Sequence, residues 1–341
     1  MKKPDLTIII PWLSRSDWTG LILDSLIFEA QVKKINYNIV IGDNLSVKKK
    51  APVKGPFSFL YPKLKVVEKI ISLSHQNLLA DRLVVVDSSF INMKALRYIA
   101  GDHRFIACFV NGGYFQKHDL DRQSLDSYSA ELLKFENAHY GLMDKIFLPS
   151  KYALASFLKE YPNLRKKCSH HYYFLPDNFF NEIHFSKKSG YLFASRSSFE
   201  KGIDVIEKLI KGGLKIDSII GKENRVFRKK LLKYKGVLIP SRADLFGFCA
   251  LEAIVAGVIP VVPRGLSYNE LVDLPDEFKI SLPIGAKTDS EIKKIMKRID
   301  NLPEKEYQRI VRRAKKSLAK KMQDSNHNFS AAAKKIFYGK K

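Results

Sequence analysis

Acidic residues and cysteines are both scarce in this chain. Its 341 residues carry 35 Asp and Glu against 59 Lys and Arg, and it has three cysteines. Cys108, Cys168 and Cys249 lie far apart and form no CxxC pair. An odd, dispersed set excludes a disulfide framework and a cysteine-based zinc site, and fits a reducing, cytoplasmic compartment. Long apolar runs are missing too. The opening MKKPDLTIIIPW holds only the short run TIII, where a secretory segment needs roughly 7–15 apolar residues. The stretch ALEAIVAGVIPVV is interrupted by Glu252, Gly257 and Pro260, and it falls short of the ~20 residues that span a bilayer. No secretory leader and no membrane span are therefore expected. There is also no low-complexity linker and no internal repeat.

The shortage of acids leaves a formal net charge of +24. The excess is uneven: residues 281–341 alone hold 17 basic and 6 acidic side chains. Such a field attracts phosphate-rich partners, whether nucleotides, nucleic acid or an anionic lipid surface. The segments EIKKIMKRIDNL (291–302) and EYQRIVRRAKKSLAKKM (306–322) place apolar residues such as Ile310, Ala314 and Leu318 at helical spacing, with basic residues on the other faces. These faces are either solvated or a contact surface for an anionic acceptor or membrane.

Short apolar runs alternate with amphipathic segments along the chain. LTIII (6–10), NIVIG (38–42), LVVVD (83–87), FIACFV (105–110) and KIFLPS (145–150) read as buried parallel strands. Helix-like segments such as GLILDSLIFEAQ (20–31) and SAELLKFENAHYGLM (129–143) separate them. The pattern restarts after Pro176 with GYLFAS (190–195), IDVIEKLIKG (203–212), IDSIIG (216–221) and GVLIPS (236–241). Strand–helix–strand twice over predicts two doubly wound α/β domains. The join falls near 175–188, so the expected domains are 1–182 and 183–320, followed by a basic C-terminal helix over 321–341 that is expected to cross back to the first domain.

The stretch PSRADLFGFCALEAIVAGVIPVVPRG (240–265) sets two acids, Asp244 and Glu252, in an otherwise apolar run. A carboxylate leaving water needs a partner or a ligand. Gly257 stands where a helix would end, which predicts a helix over 248–256 and a strand at IPVVP. The N-terminus of that helix then lies in the loop ADLFG, where unpaired N–H groups favour an anion. Gly247 would let a ligand approach the backbone closely. Carboxylates accept hydrogen bonds only, so Asp244 and Glu252 suit hydroxyl-rich guests such as a sugar and a ribose. A second loop, ASRSSFEKG (194–202), carries Arg196 and Lys201, which suit a diphosphate. The implied ligand joins ribose, diphosphate and sugar.

These two motifs resemble those of retaining glycosyltransferases of the GT-B fold, specifically glycosyltransferase family 4, the glycosyl transferases group 1. The family's arginine-lysine motif appears as SRSSFEKG. Its second motif appears as PSRADLFGFCALEAIVAGVIPVVPRGLSYNE, with Asp244 in place of the first glutamate of the usual pair and Glu252 as the second. The resemblance is specific over 190–272. It implies two Rossmann-like, doubly wound domains facing a cleft, a hexosyl donor activated by a nucleotide diphosphate, retention of configuration and no metal. By that resemblance Arg196 and Lys201 would hold the diphosphate and stabilise the leaving group. Glu252 would hold the ribose hydroxyls and Asp244 would face the donor sugar. The N–H groups of Phe246, Gly247 and Phe248 would touch sugar or phosphate, and Glu270 would cap a further helix near the diphosphate.

The N-terminal half departs from the pattern. The family's glycine-rich loop after the first strand is here PWLSRSDWTG, which offers only Gly20. The family's donor-facing histidine is absent after FIACFV, and Asn111, or His118 further along, is expected in its place. The acceptor stays open among carbohydrate, lipid-linked and nucleic-acid molecules, with peripheral membrane contact through the basic C-terminal region. The competing expectations are a DNA-modifying glucosyltransferase and a basic nucleic-acid or membrane-surface binding protein with a vestigial donor site. Other signals are set aside. Asp119 and Asp121 form a D-x-D in a polar run, His170-His171 is read as surface, Cys249 as core packing, and Asp87 as a strand end that could border the site.

Overall fold

The computed structural model describes residues 2–13, 18–44, 61–86, 93–110, 129–172, 188–195, 199–220 and 224–338. These residues form two compact units. No helix among them is long and apolar enough to cross a membrane.

The first unit contains the described residues between 2 and 110, 129–172 and 325–338. Its sheet has six strands: β1 (Leu6–Leu13), β2 (Tyr37–Asn44), β3 (Arg82–Val86), β4 (Phe105–Phe109), β5 (Lys145–Leu148) and β6 (Cys168–His170). All neighbours run parallel, in the order β2-β1-β3-β4-β5-β6. Residues such as Ile8, Ile9, Val84, Val85, Ala107 and Cys108 are fully buried whichever way they point. That is why these strands read as unbroken apolar runs: connecting helices cover both faces of a parallel sheet. The helices are α1 (Trp18–Val32), α2 (Tyr61–His75), α3 (Met93–Ala100), α4 (Ser129–Gly141) and α5 (Lys151–Glu160). Asp144, just before β5, accepts from the Ile106 N–H at 2.7 Å and from Arg97 at 3.0 Å, tying two strand starts to α3. Ser150 opens α5 by accepting from the Ala153 N–H at 2.9 Å.

The second unit contains the described residues 188–324. Its strands are β7 (Tyr191–Ser195), β8 (Ile216–Ile220), β9 (Gly236–Leu238), β10 (Ile259–Pro263) and β11 (Lys279–Ile280). They too are parallel, in the order β11-β10-β9-β7-β8. The helices are α6 (Ile203–Lys211), α7 (Asn224–Leu231), α8 (Phe248–Val255), α9 (Tyr268–Leu271) and α10 (Thr288–Asp300). The chain passes from β7 outward to β8, then returns to place β9 on the other side of β7. The boundary between β7 and β9 is therefore a topological switch point, where loops leaving adjacent strands diverge and leave room for a ligand.

The last helix, α11 (Glu304–Tyr338), contributes to both units: residues up to 324 to the second and 325–338 to the first. The helix runs on past Met322, through most of the segment 321–341 expected to be helical. Phe329, Ala332, Ala333, Ile336 and Phe337 are buried at i, i+3, i+4, i+7 and i+8, the stripe of a core-facing helix. Phe329 stacks on Phe109 at 6.0 Å and meets the edge of His171 at 5.4 Å. This corrects the surface reading of the histidine pair. His170 is half-buried, but His171 is 2% exposed and packed among Phe109, Phe147 and Phe329. Burial holds its imidazole down at about 4.

Candidate functional site

The two motifs meet at the carboxyl ends of β7 and β9. The first follows β7; its described part is a 3-10 turn (Phe199–Lys201) that enters α6 at Gly202. The second leaves β9, passes Pro240 to Phe246 and enters α8 at Gly247. Both glycines have left-handed backbones, φ 75° and φ 77°. Both are also packed too closely for a side chain. A Cβ on Gly202 would lie 2.2 Å from the Pro240 carbonyl oxygen, and one on Gly247 would lie 2.5 Å from the Tyr268 ring. The glycine of "KG" and the proline of "PS" are thus halves of one contact.

Arg242 completes the join. Its guanidinium makes a two-pronged ion pair with Asp204 in the first turn of α6, both contacts at 2.8 Å. It also donates to the Phe199 carbonyl at 2.6 Å and lies 3.8 Å from the Phe199 ring centre. The Arg242 N–H donates to the Glu200 carbonyl at 2.7 Å. Planar bidentate pairing of this kind fixes orientation as well as charge.

Lys201 points across this join. Its ammonium donates to the Ala243 carbonyl at 2.9 Å and to Asp244 Oδ2 at 3.3 Å. Asp244 Oδ1 accepts from the Gly247 N–H at 2.6 Å and the Phe246 N–H at 3.2 Å, and Oδ2 accepts from the Tyr268 hydroxyl at 2.9 Å. Where the sequence reading turned the N–H groups of Phe246 and Gly247 toward a ligand, the structure directs both to Asp244. The Asp244 carboxylate organises the loop. Burial would raise its pKa, but Lys201, the Tyr268 hydroxyl and the Phe246 N–H outweigh it and hold the carboxyl below its ordinary range. Tyr268 in turn is raised well above its ordinary value, by burial first and then by Asp244.

Glu252 lies one turn into α8 and is 5% exposed. Arg228 of α7 donates to its Oε1 from Nε at 2.7 Å. Burial pushes the Glu252 carboxyl up and Arg228 opposes the shift without cancelling it. Cys249, partly buried on the same helix, lies within the fields of Glu252, Asp244 and Lys201. Its thiol is pushed up to about 12, by burial first and then by the two carboxylates. It is an unreactive thiol. Phe246 and Phe248 meet edge to face at 4.8 Å.

The structure therefore brings Lys201, Asp244, Phe246, Gly247, Phe248 and Glu252 into one unit around one loop pair. Glu270 belongs to the same unit, in the single turn of α9, where its charge and that of Asp273 act on Lys321. Gly20 is in the other unit, buried in the first turn of α1 rather than in an open loop. Arg196, Asn111, His118, Asp87, Asp119 and Asp121 lie outside the described residues. Among the described residues no cluster of His, Cys, Asp and Glu has the makings of a metal site. The sequence reading missed Arg228, Arg242 and Tyr268. The signal for Arg242 was its place beside "PS", opposite an acid in the first turn of α6. Arg228 and Tyr268 had no local signal.

By sequence, no protein-family model and no curated protein matches the chain. By structure, it is similar to sucrose-phosphate synthase from Thermosynechococcus elongatus, with a TM-score of 0.68 at 11% identity over 98% of this chain and 100% of that one. It is similar to the catalytic domain of starch synthase IV from Arabidopsis thaliana bound to ADP and acarbose, with a TM-score of 0.67 at 10% identity over 98% and 100% of the two chains. It is also similar to S. aureus TarM in complex with fondaparinux, alpha-GlcNAc-glycerol and UDP, with a TM-score of 0.57 at 10% identity over 81% of this chain. The chain spans 59% of the length of TarM. These likenesses establish the fold of the chain as GT-B, with two Rossmann-like, parallel-sheet units.

Proposed function

We propose that the chain is a glycosyltransferase, a hexosyltransferase that takes its sugar from a nucleotide-diphosphate donor and transfers it with retention of configuration and without a metal. One observation carries the reading: Lys201 and the Asp244 loop converge at the carboxyl ends of β7 and β9, at the switch point of the second sheet, which is where open α/β sheets bind ligands. In this reading Lys201 and Arg196 hold the diphosphate and neutralise the charge that grows on it as the glycosidic bond breaks. That is electrostatic stabilisation aimed at the leaving group. Asp244 acts through Lys201, fixing the direction of the ammonium. Glu252 accepts from the ribose hydroxyls. Nucleotides bound to fold neighbours, ADP in starch synthase IV and UDP in TarM, support a nucleotide donor. The resemblance of the two motifs supports retention and metal-free chemistry. The dispersed cysteines support a cytoplasmic setting.

The test is to incubate the protein with UDP-, GDP- and ADP-sugars, without acceptor, and to measure released nucleoside diphosphate beside Glu252→Ala. Slow release from one donor is expected. It should fall at least about tenfold in the variant, the usual worth of a hydrogen bond to a charged group. No release and no nucleotide binding would defeat the proposal. NMR of the released or transferred sugar decides retention, and chelator decides the metal.

A further inference from the structure

The second-unit part of α11 carries an exposed row of cations that the proposed reaction does not use. Lys305, Arg309, Arg312, Arg313, Lys316 and Lys320 are all exposed. At 3.6 residues per turn they fall within an arc of about 100°, and they extend for about 22 Å along the helix. The opposite face buries Tyr307, Val311, Ala314 and Leu318. Lys315 and Lys321 lie off the row and are half-buried, and burial lowers both.

Glu306 pairs with Arg309 at 2.6 Å and Asp273 pairs with Arg313 at 3.2 Å. Gln308 accepts from Arg312 at 3.3 Å. These two pairs engage two of the six cations and leave the row basic. Both paired arginines remain open to solvent, 77% and 69% exposed.

We infer that this row docks the protein on anionic lipid bilayers, as a peripheral contact without insertion. Clusters of four to eight Lys and Arg on one helix face bind acidic headgroups by charge. The apolar face of this part of α11 is already buried within the second unit, so the row brings no apolar face to insert into the hydrocarbon. The row contains no aromatic side chain, so it has no platform on which to stack the bases of a single strand. The inference stands apart from the proposed reaction and does not depend on it.

The experiment is co-sedimentation of the full chain with vesicles of phosphatidylcholine alone, and of phosphatidylcholine mixed equally with phosphatidylglycerol. Binding to the mixed vesicles only, released by salt as the screening length falls below about 8 Å, is expected. Arg312→Gln, Lys316→Gln and Lys320→Gln together leave both ion pairs intact. They should weaken binding roughly fivefold per cation, or about a hundredfold. Neutralising Lys94, Lys151 and Lys166 in the first unit to Gln should change binding far less. Unfolding curves matched to the wild type keep the comparison fair. The inference is overturned if the mixed vesicles bind nothing, or if the two triple variants lose binding equally. It is also overturned if the row proves to be needed for duplex DNA and not for vesicles.

Discussion

Asp244 and Glu252 solve the same desolvation problem differently. Asp244 is surrounded by donors from three segments and sits below its ordinary pKa, whereas Glu252 pairs with Arg228 and sits above it. Removing Arg228 therefore has a directional consequence. In Arg228→Leu the buried Glu252 carboxyl loses the cation that opposes its protonation, so it takes up a proton at higher pH. A protonated carboxyl gives up acceptor capacity to a donor O–H. Under the proposed reading, nucleoside-diphosphate affinity in the variant should fall about tenfold near neutral pH, worth about 1.4 kcal/mol. It should weaken further as pH falls, and Arg228→Lys should recover part of it. Calorimetric titration across pH measures this. His171 gives a second residue-scale prediction. Its folded value of about 4 lies below the ordinary 6.5, so the unfolded chain binds the extra proton. The stability it contributes is complete above about pH 6.5 and is lost as pH falls toward about 4. His171→Phe keeps a ring in the cluster and removes the titration. The loss of stability between about pH 7 and about pH 4.5 should shrink by at most about 3 kcal/mol in denaturant titrations.

Among elements, the entry turns of α6 and α8 are the demanding ones. Gly247→Ala must adopt φ 77° and set a methyl 2.5 Å from the Tyr268 ring. The backbone strain and overpacking together should cost about 2–4 kcal/mol, read from the urea midpoint. The sequence displayed this feature clearly, because "KG" and "FG" follow apolar strands and precede apolar helices. The strands themselves were legible for a similar reason: burial on both faces leaves no polar positions to confuse the pattern. Arg242 and Tyr268 were not legible. Each acts across the sheet, on Asp204 and Asp244 respectively, and pairings between such distant positions are set by strand order rather than by local spacing. Nor did the sequence disclose that the N–H groups of Phe246 and Gly247 turn back to Asp244. The polar run QDSNHN interrupts the apolar pattern after Met322, and the stripe that resumes at Phe329 keeps the helical period.

For the molecule as a whole, α11 makes the first unit depend on residues that follow the second in sequence. A chain ending at Asp324 would lose Phe329, Ile336 and Phe337 from the first unit's core, each worth roughly 1.5–3 kcal/mol of burial. It would also lose the bond from Arg82 to the Ile336 carbonyl, 3.0 Å long. Amide hydrogen exchange should then rise across β3 and β4 while β7, β9 and β10 keep their protection. The same dependence has a meaning for synthesis on the ribosome. When Tyr172 emerges, the six strands of the first sheet exist, but the ring that stacks on Phe109 has not been made. At ~5–20 residues per second, the wait for Phe329 is on the order of 10–30 s. Through that interval an apolar slot lined by Phe109, Phe147 and His171 stays unfilled on a nascent chain, long enough for a chaperone to find it before the chain's own last helix does.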